Sequence, residues 1–234
     1  WVPQVQRQYG TSWGKFRLSF AAPMRAYAKI DPKQKALIAP RMSVDFSGNK
    51  TSSSAIFGPW RWWPRLHYRV APYMKQDQGA VFDATLLPDT WQTLFAASRF
   101  EGMDRFGDAN ELSYAVVFSG GSETRSLQPN QHWRVVLGQT VAFSKHRVCL
   151  YADCRGDILA EEFFSPLYVQ FKLPLSQRVL WDNEVAYRMQ AGQLSQISTA
   201  LSYKKDDKAM ISLYYRYNLH AGYRALLEQG IFEN

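Results

Sequence analysis

R-F-E-G-M-D-R-F-G-D-A-N-E-L-S-Y-A-V-V-F, Arg99 through Phe118, changes character in its middle. Its first half, Arg99 to Asn110, is charged and carries Gly102 and Gly107. Its second half alternates Leu112, Tyr114, Val116 and Phe118 with Glu111, Ser113, Ala115 and Val117. Side chains of a strand point to opposite faces in turn, so a polar loop here runs into a strand with one apolar face.

The same half-apolar alternation recurs on both sides. Upstream, Phe16, Leu18 and Phe20 alternate with Lys15, Arg17 and Ser19; Met42, Val44 and Phe46 with Arg41, Ser43 and Asp45; Leu66, Tyr68 and Val70 with Arg65, His67 and Arg69. Residues up to about Ser12 carry no readable pattern, Asp31 and Pro32 mark a turn, and the polar run Ser47 to Ser54 reads as a turn or loop. The interval from Ala71 to Asn110 is too long for a hairpin turn and reads as a structured loop. Downstream, Trp133, Val135, Leu137, Val141 and Phe143 share one face, as do Leu167, Val169, Phe171 and Leu173. Val185, Tyr187 and Met189, then Ile197, Leu201 and Tyr203, then Ile211, Leu213, Tyr215 and Tyr217 repeat the pattern. Short polar stretches, Pro174 to Arg178 and Lys204 to Lys208, separate them. Successive strands from Asn110 onward with no helix between them predict an antiparallel meander.

Hydrophobic residues make up 46% of the chain, yet the mean hydropathy is -0.34, because the apolar residues are spread singly between polar ones. No run of about 18 apolar residues exists, so no spanning helix can be read. A spanning β-strand needs only about ten residues with every other one apolar. Aromatic residues suit both a soluble sandwich core and the interfacial girdles of a membrane barrel; Trp60, Trp62 and Trp63 at a strand start fit a girdle. The polar face decides between them. It carries Arg134, Lys172, Arg188 and Arg216, and burying these against a second sheet would cost several kcal/mol each. A sheet in lipid must also close on itself. The expected fold is all-β: an antiparallel transmembrane β-barrel with meander topology and a wet interior, present as a fragment of a larger barrel.

The net charge of +8 points to an anionic partner, but the basic residues are dispersed and no nucleic-acid-binding motif accompanies them. The histidines, His67, His132, His146 and His220, are scattered, and neither G-x-S-x-G nor H-E-x-x-H occurs, so no catalytic residue, metal site or cofactor is expected. His67, alone among arginines, reads as a polar residue facing lumen or solvent. Cys149 and Cys154 form a C-x4-C pair that is poor for zinc and leaves a local disulfide and two free thiols both open. No signal peptide precedes the first strand, and the last residues do not read as a closing strand. The expectation is a single partial domain over 1–234, an internal piece of a longer protein.

Several stretches carry a family resemblance: P-R-L-H-Y-R-V-A-P-Y (Pro64 to Tyr73), V-F-D-A-T (Val81 to Thr85) and R-F-E-G-M-D-R-F-G-D-A-N-E-L (Arg99 to Leu112). P-R-M-S-V-D-F (Pro40 to Phe46) and L-G-Q-T-V-A-F (Leu137 to Phe143) carry it more weakly. Together they resemble the barrel domain of the LPS-assembly outer-membrane proteins, the LptD (OstA) family. The resemblance implies a segment of the outer-membrane translocon that inserts lipopolysaccharide into the outer leaflet of the Gram-negative outer membrane, and no enzyme. It implies three partners: an LptE-type plug lipoprotein, lipopolysaccharide, and a periplasmic LPS-transport bridge reached through an N-terminal domain absent here, as are the closing strands. It places the loop before Asn110 and the segment Lys145 to Phe164 at the cell surface, and Ser119 to His132 in the periplasm. In the family-signature loop, Arg99, Phe100, Gly102, Asp104, Arg105, Gly107, Asp108 and Asn110 are expected to be structural, with glycines making turns and polar side chains satisfying backbone groups or one another, and direct contact with lipopolysaccharide is the alternative. Arg134, Lys172, Arg188 and Arg216 are candidates to line the lumen and meet lipid A phosphates or the plug, or simply to solvate the interior. The family's disulfides to a periplasmic domain are not carried over to Cys149 and Cys154, which lack the adjacent-cysteine arrangement. The competing function is an outer-membrane porin or diffusion channel, against which the signature loop stands.

Overall fold

A computed structural model describes residues 3–25, 37–54, 58–76, 84–87, 90–102, 105–120, 132–150, 154, 158–205 and 209–218. Among them, eleven strands form one antiparallel sheet. In chain order these are β1 (Gln4–Thr11), β2 (Gly14–Ala21), β3 (Arg41–Gly48), β4 (Lys50–Ser54), β5 (Gly58–Ala71), β6 (Ala109–Gly120), β7 (Trp133–Ala142), β8 (Leu167–Pro174), β9 (Val179–Arg188), β10 (Gln193–Lys204) and β11 (Met210–Asn218). Each pairs with its neighbour in sequence except β3 and β4, which both pair with β5. The sheet is therefore an open meander with β1 and β11 at its edges, consistent with part of a barrel. No described helix is long and apolar enough to cross a membrane.

Cross-strand register keeps one set of side chains on one face throughout. Arg17, Asp45, His67 and Ser113 stand in one row, and Arg134, Lys172, Asp182 and Ala200 in another. This face is called inner here because Trp91, Leu94 and Ala96 of the segment before β6 fold onto it. The opposite face presents Phe16, Leu18, Phe20, Met42, Leu66, Leu137, Leu201 and Leu213, all more than a third exposed. Aromatic rings collect toward the strand ends of this outer face: Trp60 lies 6.1 Å from Phe118 and Phe171 4.9 Å from Trp181 at one end, and Tyr68 lies 6.1 Å from Phe143 at the other.

Several elements differ from the sequence reading. Residues before Ser12 form β1; Arg7 stands between Val5 and Tyr9 on what would be the apolar face and masks the alternation. The run Ser47 to Ser54, read as a turn or loop, continues as a strand through β4. Only Asn49 interrupts it, where register sets Gly48 and Asn49 against Pro64 and Trp63; Pro64 has no N–H to give the ladder, and a Cβ on Gly48 would sit 3.1 Å from the Pro64 ring. Serine, a poor marker of a strand, is held there by pairing with β5, where Ser52 stands opposite Trp60. A helical turn, Ile158–Glu161, lies in the β7–β8 connection, where none was expected. The turn at Asp31 and Pro32 lies outside the described residues.

The interior is not simply wet. Trp91, Val117, Val136, Tyr168 and Ala186 form a cluster on the inner face, with Trp63 and Leu94 packed against it. Val117 and Val136 are fully buried, each worth about 2 kcal/mol relative to exposure. The loop supplies Trp91 and the short 3-10 turn Thr93–Phe95, which rests on β6 and β7. Gly138 makes this approach possible: a Cβ there would lie 3.0 Å from Leu94 and 3.1 Å from the Ala115 Cβ.

Candidate functional site

Two structures built from inner-face and loop residues stand out: an anchor that ties two loops to the sheet, and a charged inner surface beneath them. The anchor centres on Asp108, the last residue before β6. Its carboxylate accepts from the backbone N–H groups of Arg147 (3.0 Å) and Val148 (2.9 Å) and from the Arg99 guanidinium (3.3 Å). Arg99 also donates to the Asp108 carbonyl at 2.7 Å and to the Val148 carbonyl. The 72–108 loop and the β7–β8 connection are thus stitched through one buried ion pair. Gly107 leaves room for it, since a Cβ there would lie 3.2 Å from Arg99 Nη1.

The other signature residues surround this pair. Phe100 is buried with Ala84, Val148 and Leu150, which joins the same two segments through apolar contact. Gly102 has φ of +88°, a conformation glycine adopts without steric cost. Arg105 is buried. The side-chain oxygen of Asn110 accepts from the Tyr68 hydroxyl at 2.9 Å, and its carbonyl from Phe143 N–H at 2.7 Å. Asp104 lies outside the described residues. Cys149 and Cys154 are bonded to each other in the same connection.

Sequence reasoning missed the polar core below the anchor. Glu111 is buried between Arg69, with which it pairs, and His146, whose Nε2 lies 2.9 Å from its carboxylate. Arg69 donates in addition to the Ala96 carbonyl at 3.1 Å. Nearby, His67 Nδ1 donates to Asp45 at 2.7 Å. The only signal for these in sequence is a charge on the non-apolar side of a strand, which solvated positions share.

The lumen candidates all stand on the inner face, Arg134 and Lys172 as cross-strand neighbours and Arg188 and Arg216 apart from them. Arg134 is stacked on Trp91, its guanidinium carbon 4.8 Å from the ring centre. Lys172 lies between Arg134 and Asp182 in the cross-strand row. Arg188 pairs with Glu162 of the β7–β8 connection. Arg216, exposed on β11, hydrogen-bonds the Asn218 side chain. Among the described residues, no cluster of His, Cys, Asp and Glu could hold a metal ion.

The family model described as LPS transport system D matches residues 61–227. An LPS-assembly protein LptD from Francisella tularensis subsp. holarctica (strain OSU18) is 24% identical over 99% of this chain and 28% of its own length. The protein of that name from Aeromonas salmonicida (strain A449) is 27% identical over 68% of this chain and 19% of its own length, and that from Coxiella burnetii is 31% identical over 62% and 16%. This chain spans between 16% and 28% of the length of these relatives.

Proposed function

The chain belongs to the LptD family, and on that premise we propose that it forms part of the wall of an outer-membrane barrel that inserts lipopolysaccharide into the outer leaflet. The observation that carries this reading is the outer face. Phe16, Leu18, Phe20, Leu66, Leu137, Leu201, Ile211 and Leu213 stand exposed on one side of a continuous sheet, far more contiguous apolar surface than a soluble monomer leaves in water. Hydrocarbon covers such a face, and the aromatic collars sit where interfacial Trp and Tyr are favoured.

In this reading the inner face contributes lumen charge, and the Asp108 anchor holds the cell-surface loops over it. The full-length protein would take lipopolysaccharide from a periplasmic transport bridge, with a plug lipoprotein seated in the lumen. The role is carriage rather than catalysis. The packed Trp91 cluster favours this over a diffusion channel, because apolar side chains occupy inner surface that an aqueous pore would leave to water.

Depleting the full-length protein in its Gram-negative host and assaying newly made lipopolysaccharide at the cell surface tests the proposal. Loss of surface lipopolysaccharide, with accumulation behind it, is the expected result. Normal surface lipopolysaccharide with reduced uptake of small solutes would replace it with the channel reading.

A further inference from the structure

The charges singled out from sequence have partners or neighbours that occupy them; a different set of arginines converges on open space. Where β1, β2, β3 and β5 lie side by side, the inner face opens into a cleft of about 210 Å³, room for several water molecules. Arg17, Arg41, Arg65 and Arg69 line it together with Asp45 and His67. Its roof is the loop: the Arg65 guanidinium carbon lies 4.0 Å from the Phe95 ring centre, and Arg41 and Arg69 donate to the carbonyls of Ala97 (3.2 Å) and Ala96 (3.1 Å). Three of the four cations are thereby held in place at one wall.

The anions nearby are already engaged. Asp45 bonds His67 at 2.7 Å, and Glu111 is shared between Arg69 and His146. Four guanidinium groups against two carboxylates leave an excess of two positive charges. Two nitrogens at this wall also lack a hydrogen-bond partner among the described residues: Arg69 Nε and His67 Nε2, on side chains only 8% and 4% exposed. Both atoms are sealed from the open space, so the donors a ligand would meet are the other guanidinium nitrogens that line the cleft.

We propose that this cleft is an oxyanion site that takes a phosphate group. A phosphate dianion matches the charge excess, and its several acceptor oxygens suit forked guanidinium donors better than the two oxygens of a carboxylate. The phosphate is carried on a sugar of the lipopolysaccharide or is free in solution. The first source rests on the proposed function; the second does not.

The full-length protein, purified in detergent with its bound partners, separates these sources. A photoreactive residue is placed at Ser43, which lines the cleft, and in a second protein at Ser198, on the inner face of β10. Each is irradiated with native lipopolysaccharide and with the same material stripped of its phosphates, while binding of radiolabelled orthophosphate is measured by equilibrium dialysis. The expected result is a Ser43 adduct that falls about tenfold, the loss of one charge-assisted hydrogen bond, on phosphate removal or with Arg17→Gln plus Arg65→Gln. The Ser198 adduct should not change. Orthophosphate binding that the double variant abolishes, without a phosphate-dependent lipid adduct, assigns the site to free phosphate. A Ser43 adduct indifferent to phosphate and to the variants, or orthophosphate binding equal or absent in both proteins with no such adduct, overturns the proposal. Heat-modifiable gel mobility confirms that the double variant is folded. A lipid adduct at Ser198 reports lipopolysaccharide in the barrel whatever happens at the cleft, so failure of the site is distinguishable from failure of the function.

Discussion

Replacing Asp108 with alanine isolates the anchor. Three donors lose their acceptor: Val148 N–H at 2.9 Å, Arg147 N–H at 3.0 Å and the Arg99 guanidinium at 3.3 Å. Val148 is buried, so its amide has no water to turn to, at a cost of about 1–3 kcal/mol. Arg99 keeps two carbonyl partners, from Asp108 and Val148, and loses only the charge opposite it, about 1 kcal/mol. Arg147 is exposed and its amide recovers most of its loss from solvent. The sum, about 3 kcal/mol, should appear as local opening of the β7–β8 connection, because the β6 ladder is not touched. Amide hydrogen exchange of the full-length protein in detergent reads this directly: Val148 should exchange about a hundredfold faster, with Ala109–Gly120 unchanged. Asp108→Asn, which retains one side-chain oxygen for Val148, should show a smaller effect. Unchanged Val148 protection in the alanine variant would refute the anchor, and equal loss across β6 would mean that Asp108 holds the sheet rather than the loops.

Leu137→Arg on the outer face of β7 should destabilise the protein in lipid by about 2–4 kcal/mol, while Ala200→Arg, facing Asp182 on the inner face, should cost less than about 1 kcal/mol; urea unfolding in liposomes compares them. Gly138→Val should push Leu94 off the sheet at about 1–3 kcal/mol, read as faster exchange at the Phe95 and Ala96 amides. Arg188→Gln should leave the Glu162 carboxylate uncompensated, at a cost of at most about 3 kcal/mol, and raise exchange at the His146 amide that donates to Leu159; adding Glu162→Gln should restore much of the protection.

Strand pattern was legible wherever one face was consistently apolar. Leu112, Tyr114, Val116 and Phe118 declared β6, and the same logic located β2, β3, β5 and β7 to β11. It failed where the outer face is mixed, as at Arg7 in β1, and where the strand is polar on both sides, as in β4, because pairing with a tryptophan-rich neighbour leaves no mark on a serine's own sequence. The signature loop was legible as structure, with Gly107 and Asp108 each meeting a need of the backbone or of Arg99. What lies between segments was not. Trp91 covering Arg134, Glu111 held between Arg69 and His146, and the cleft at Arg17 and Arg65 all join residues far apart in the chain, and periodicity describes only one strand at a time.

The strand Lys50–Ser54 has a neighbour on one side only among the described residues. Past Gly48 the β2 strand has ended, and β4 continues alone beside β5 with one row of backbone amides and carbonyls open. Hydrocarbon does not tolerate such a row, whereas water does. A bilayer around this sheet must therefore have its boundary near Gly48, where Lys50 reaches over the Trp13 ring at 5.7 Å. On the proposed reading the half-paired hairpin would be a waterline, setting the height at which the membrane stands against the wall.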